Sequence, residues 1–229
     1  MARPKNADGQ RTRQAILDAA LDLFAEKGYF GTSLRDVATA VGVRESALYH
    51  YFASKDALFE ALLTAHQHTR MERMAPIAAA PIADGRALLE QFALASLEAF
   101  EEPREQKLHR ILMSDGIRLA KDGRINLYER MSSGREQLHE LLRRLIREGW
   151  LRRAEVGVLG IAFFSPLFMW RQLRAIDAPL PMIRQPRAFA RQHVEQFLVG
   201  AGAPAVLAAR PPSSRPSPSR RAPRRRVAS

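Results

Sequence analysis

The residues whose types and spacing could do chemistry fall between positions 33 and 52, Ser-Leu-Arg-Asp-Val-Ala-Thr-Ala-Val-Gly-Val-Arg-Glu-Ser-Ala-Leu-Tyr-His-Tyr-Phe. Leu34, Val37, Ala38 and Val41 recur at i, i+3, i+4 and i+7, which is one face of a short helix. Gly42 follows, at the place where a helix commonly ends on a residue with positive φ. A second short helix then begins near Arg44 and turns Leu48 and Phe52 inward. The pattern predicts a helix-turn-helix, in which the first helix braces the second and the second offers its outer face to base edges in a DNA groove. That outer face carries Arg44, Glu45, Ser46, Tyr49 and His50. An arginine can pair through two bonds with guanine, a glutamate can accept from cytosine N4, and tyrosine or histidine can touch thymine methyls or phosphate. Glu45 repels phosphate, so Arg44 and Tyr49 carry most of the expectation.

Contacts to the DNA backbone are expected on either side. Thr32 and Ser33 precede a helix whose first N–H groups lack intrahelical partners, an arrangement that attracts a phosphate oxygen, and Arg35 lies in the same first turn. Plain N-capping by Ser33 is the structural alternative, with Asp36 three residues on completing a capping-box-like pair. Ser54 caps the next helix, and Lys55 opens it. A helix N-terminus favours an anion over a lysine, so an external phosphate is the expected reason for Lys55. Tyr51 either reaches a phosphate with its hydroxyl or packs its ring inward. Arg3, Lys5, Arg11 and Arg13 could follow a minor groove or the phosphates, or stay solvated.

Around these residues the chain organises as helices. Ile16, Ala19, Ala20, Leu23 and Phe24 form one stripe of a helix over about 10–27, preceded by an arm without periodicity. Residues 76–85 are Ala/Pro-rich and read as a connector. Leu89, Phe92, Ala93, Ser96 and Phe100 form a later stripe, Pro103 suits the first turn of the following helix, and Leu138, Leu141, Leu142, Leu145 and Ile146 form the strongest stripe, ended by Gly149. Two further helices are expected over about 155–174 and 186–199. No segment alternates as a strand does, so the fold expected is all-α. After Gly202 the composition turns to Pro, Ser and Arg, which cannot form a packed core.

The bulk numbers narrow the function. The 229 residues suffice for one large domain or two small ones, and their formal net charge of +12 suggests a polyanionic partner. The distribution tempers that inference. Seven arginines and no acid lie in residues 203–229, whereas residues 1–64 hold eight basic and eight acidic residues. The absence of cysteine excludes disulfides and thiolate chemistry and suits a reducing cytoplasm. No apolar stretch follows the first residues, so no secretory signal is expected. The near-apolar run from Val156 to Trp170 is shorter than the roughly 20 residues a membrane-spanning helix needs, so no membrane partner is expected. The chain has no nucleophile elbow, P-loop or dinucleotide fingerprint. His66 and His68 stand two apart on a helix and make a poor metal pair, and His109 near Asp115 reads as surface. No catalytic residue, metal or cofactor is assigned.

The order of Gly28-Tyr29-Phe30-Gly31-Thr32-Ser33, Asp36-Val37-Ala38, Gly42-Val43, Leu48-Tyr49-His50-Tyr51-Phe52 and Ser54-Lys55-Asp56-Ala57-Leu58 resembles the N-terminal domain of TetR-type transcriptional regulators over about residues 10–65. The resemblance implies a helix-turn-helix DNA-binding domain over 1–65 and a helical ligand-binding and dimerisation domain over 66–202, with 203–229 as a tail. It implies a homodimer on an inverted-repeat, double-stranded operator, acting as a repressor released by a hydrophobic small-molecule effector. Phe92, Ser96, Phe100, Ile111, Phe163, Phe164, Met169 and Trp170 could line the effector cavity, each with ordinary core as the alternative. Small residues Gly157, Gly160 and Ala162, together with Phe189, Val194, Phe197 and Leu198, could form the dimer seam. Two rival readings are a nonspecific architectural protein that coats DNA through its basic tail, and a ligand-binding or catalytic helical protein whose DNA domain is vestigial.

Overall fold

The computed structural model describes residues 5–204 and 206. Expectations for Arg3 and for the Arg-rich stretch beyond 206 lie outside these described residues. The architecture is all-α, as the periodicities require. Ten helices follow in order among the described residues: α1 (Lys5–Lys27), α2 (Leu34–Val41), α3 (Glu45–Leu48), α4 (Lys55–Ala79), α5 (Gly85–Phe100), α6 (Pro103–Ser114), α7 (Gly116–Lys121), α8 (Leu127–Arg147), α9 (Val156–Ala175) and α10 (Pro186–Ala201). A short 3-10 turn, Pro181–Arg184, precedes α10.

Two apolar cores form. The head core draws Ile16, Phe24, Val37, Leu48, Leu58 and Phe59 from α1 to α4. It also takes Leu108 and Ile111 from α6, Leu119 from α7 and Ile125 beyond it, so the later helices are built into the head rather than merely resting on it. The body core joins the end of α4 to α5, α8, α9 and α10 through residues such as Leu89, Phe92, Leu141, Phe163 and Trp170.

Several local expectations change. Helix α1 starts at Lys5, not near residue 10; Asp8 lies in its first turn and accepts the Thr12 hydroxyl at its backbone carbonyl at 2.9 Å. The supposed connector from 76 is helical as far as Ala79 despite Pro76. Burial of Met74 and Ala78 holds this last turn in the body core, and the Arg144 guanidinium satisfies its loose end by donating to the carbonyls of Ala78 and Ala80. Helix α9 runs for 20 residues, longer than the apolar run alone, and by length and composition it could cross a membrane. Here Leu159, Phe163, Leu167 and Trp170 are buried in the body core.

Several residues expected at a dimer seam pack within the chain. Gly160 admits α8: a Cβ there would lie 2.6 Å from His139 Nε2, so its smallness serves packing within the chain. Val194, Phe197 and Leu198 likewise turn into the body core. The large apolar side chains left exposed on α9 are Val158, Ile161 and Met169, with Val199 on α10.

Candidate functional site

The head is built by local capping. Ser33 Oγ accepts from the Asp36 N–H at 3.1 Å, and the Asp36 carboxylate accepts from the Ser33 N–H at 2.8 Å, a reciprocal capping box that starts α2. The Ser33 hydroxyl and amide hold the Asp36 carboxyl below the usual carboxylate range. At the other end Gly42 has φ 76°, its N–H reaching Thr39 O at 3.1 Å and the Val43 N–H reaching Ala38 O at 3.0 Å. Only a left-handed residue allows that paired closure, and glycine adopts it without steric cost. Ala38 is buried, so α3 can cross close to α2.

Helix α3 begins after Arg44, whose side chain makes no capping bond. Leu48 and Phe52 are buried in the head, while Arg44, Glu45, Ser46, Tyr49 and His50 are exposed. Tyr49 is 51% exposed, unusually open for a ring of its size. Ser33 and Arg35 are exposed beside this face. Tyr51 is half-buried and packs its ring against the head core, which favours the inward alternative. Arg13 stacks over the Phe52 ring at 5.1 Å, tying α1 to the end of the motif.

Two residues expected at the phosphates have partners inside the protein. Thr32 is 2% exposed, and its hydroxyl points at the carbonyls of Gly28 (2.9 Å) and Leu23 (3.2 Å). It closes the end of α1, so its side chain is not available to DNA. Lys55 donates from Nζ to the carbonyls of Tyr29 (2.9 Å) and Thr32 (2.8 Å) and lies 4.4 Å from the Tyr29 ring centre. Two of its three N–H groups are therefore engaged inside the protein, which leaves one for a phosphate. Burial, then the nearby Arg124 charge, lowers its pKa.

The same corner clamps α1 and α4 to α6, α7 and the residues just beyond α7. The Tyr29 hydroxyl donates to Asp56, and burial pushes that phenol above its ordinary pKa. Arg124 Nη1 sits 2.9 Å from both Asp56 oxygens. Burial works against the Asp56 charge, but Tyr29 and Arg124 together hold its carboxyl below the ordinary range. Asp115 accepts the Tyr29 N–H at 2.8 Å, and Arg118 stacks 3.8 Å from the Phe30 ring centre. On α6, Arg104 and Lys107 pair with Asp18 and Asp22 of α1 at 2.5 and 2.6 Å.

Behind the clamp, α4, α5, α6, α7 and α9 line a cavity of about 290 Å³ that opens to solvent. Phe100, Leu108, Leu112, Met113, Phe164 and Phe168 supply apolar wall. His66, Arg70, Glu105, His109 and Arg171 also line it. Glu105 lies 3.0 Å from His66 Nδ1. Burial opposes the Glu105 charge, but His66 holds the carboxyl below its ordinary pKa. Burial lowers the pKa of His109, which pairs through Nε2 with Gln172 Oε1 at 3.1 Å.

Comparison with known proteins identifies the family. Residues 16–62 match the family model of bacterial regulatory proteins of the tetR family. The transcriptional regulator SrpR of Pseudomonas putida is 30% identical over 153 residues, which cover 66% of this chain and 68% of SrpR. The transcriptional repressor KstR2 of Mycobacterium tuberculosis is 31% identical over 141 residues, covering 61% of this chain and 69% of KstR2. The chain belongs to the TetR family. The solved KstR2 structure superimposes with a TM-score of 0.61 at 25% identity, over 83% of this chain and 94% of that one. The TetR-family regulator PfmR of Thermus thermophilus gives 0.63 at 27% identity, over 80% and 97%.

As in the sequence reading, this TetR-family chain brings Arg44, Glu45, Ser46, Tyr49 and His50 together on the exposed side of α3. The cavity expectation fares differently. Phe100 and Phe164 line it. Phe92, Phe163 and Trp170 are body core instead, and Ile111 is head core, because their faces meet neighbouring helices. Ser96 accepts from Arg171, and Met169 is 55% exposed on the outer side of α9. His109, expected at the surface, faces the cavity. The polar lining was missed, although a signal existed. His66 and Arg70, and Glu105 and His109, are i,i+4 pairs, each on one helix face.

Proposed function

We propose that this TetR-family protein is a sequence-specific repressor, binding an inverted-repeat operator as a homodimer and released by a small molecule in the cavity. The observation that carries the reading is the outer face of α3: five polar residues exposed on a short helix whose other side is locked to α2 and the head core. We assign DNA binding to residues 1–65, with base contacts from Arg44, Ser46, Tyr49 and His50 and backbone contacts from Ser33 and Arg35. Residues 66–202 would hold effector and partner, the exposed Val158, Ile161 and Met169 of α9 forming the seam.

The route between the sites supports effector control. Helix α4 starts at Lys55 in the clamp and carries His66 and Arg70 into the cavity. Leu108 of α6 is buried in the head core and lines the cavity as well. A ligand that spreads this wall moves α6, and α6 is paired to α1. It favours release only by binding the released arrangement more tightly than the DNA-bound one.

Footprinting with DNA from upstream of the protein's own gene tests the proposal. The expected result is a protected palindrome with half-sites about 34 Å apart or somewhat more. Protection no better than on competitor DNA overturns it. Truncation after Gly202 is expected to leave affinity unchanged; a large loss would favour the architectural reading through the tail.

A further inference from the structure

We propose that the cavity takes an amphipathic monocarboxylate, its carboxylate held by Arg171 and Arg70 and its apolar body lying toward α6 and α7. The inference rests on the reading of this cavity as the effector site and adds the chemical class of the occupant.

Arg171 is the key residue. It is only 7% exposed, and its Nη2 donates to Ser96 O at 2.7 Å and Ser96 Oγ at 3.1 Å. Its Nε–H has no partner among the described residues. A buried guanidinium is costly unless its charge is paired and its donors are satisfied. The acidic side chain in the cavity lining is Glu105, which lies 3.0 Å from His66 Nδ1 and whose charge attracts both Arg70 and Arg171. Arg70 adds a second guanidinium. Burial, and then repulsion from Arg70, pushes the Arg171 pKa down to about 9, which still leaves it charged at neutral pH.

Charge and shape then select the ligand. With His109 kept neutral by burial, Glu105 is the one carboxylate among the described lining residues set against two guanidinium charges, so the lining carries an excess of positive charge. Arginine presents a planar fork of donors matched to a carboxylate. A neutral ligand leaves that excess charge uncompensated. The remaining wall, Leu112, Met113, Ile117, Phe164 and Phe168, offers hydrogen-bonding partners to almost nothing and suits an alkyl or aromatic body. A body lying there presses on α6 and α7, the helices flanking Asp115, which accepts the Tyr29 N–H of the head.

The test uses the full-length protein and titration calorimetry with matched pairs: decanoate against decanol, and naphthoate against naphthol. The carboxylates are expected to bind at least about tenfold more tightly than their alcohols, the scale of one charge-assisted contact. Arg171→Gln and Arg70→Gln are each expected to shrink that preference at least about threefold. If Arg171→Gln does not fold, the half-buried Arg70 carries the test. Alcohols binding as well as carboxylates, or a preference untouched by Arg70→Gln, overturn the proposal while leaving the cavity an effector site. Binding by neither class also overturns the proposal.

Discussion

In the head, polar groups that leave water find partners within the protein: the Thr32 hydroxyl turns to carbonyls, Lys55 bridges two more, and Tyr29, Asp56 and Arg124 form a closed set. In the body cavity the matching is incomplete, since among the described residues Arg171 keeps a buried donor without a protein partner and shares the single lining carboxylate, Glu105, with Arg70. A satisfied polar network rigidifies, whereas an unsatisfied one raises the energy of the empty state and rewards whatever fills it. The head is therefore suited to present one fixed face, and the body to respond to the effector proposed for its cavity.

The largest expected effect would break the head itself. Leu48 is fully buried under α3, so Leu48→Ala should cost about 2–5 kcal/mol and abolish operator binding, as read by urea denaturation and footprinting. Met169→Ala on the outer side of α9 should stay within about 0.5 kcal/mol for the monomer fold. Equal costs would deny that α3 is braced from beneath.

Substitutions on the presented face should separate binding from folding. Arg44→Ala and Tyr49→Ala are each expected to weaken operator binding by about 1–3 kcal/mol while the denaturation midpoint stays in place. A shift in the midpoint of similar size would mean these side chains support the head instead.

Lys55 sharpens the division further. Lys55→Met leaves two carbonyls without their donor and should cost about 1–2 kcal/mol of stability. If its third N–H also meets a phosphate, the slope of log affinity against log salt falls by about 0.9. An unchanged slope assigns Lys55 wholly to the fold.

Acidification should find the body before the head. His109, His139 and His193 all belong to the body, and burial lowers the pKa of each. The unfolded chain takes up protons near pH 6.5 that these folded sites refuse, so stability falls as pH drops from about 7 toward 5. In the head, Asp36 and Asp56 have depressed pKa values, and their contribution is lost only as pH falls below about 4. Hydrogen exchange resolved by helix should show α9 and α10 losing protection before α1 and α2. Simultaneous loss would make the two cores one cooperative unit.

What the sequence by itself determined is the local order: the apolar stripes of α5 and α8, the Ser33–Asp36 box, the glycine closure at Gly42 and the exposed face of α3. Each is set by residues within about a turn or two of one another, through helix periodicity and capping, and needs no distant partner. What only the tertiary structure decided is which polar groups are already occupied. Lys55 looked like a phosphate anchor until Tyr29 and Thr32, more than 20 residues away, supplied its acceptors. Arg171 and Ser96 meet across 75 positions, and the cavity takes its walls from five helices. Helix faces announce what is apolar, but the packing of one helix on another chooses which apolar face becomes core, which becomes cavity, and which buried charge is left for a ligand to meet.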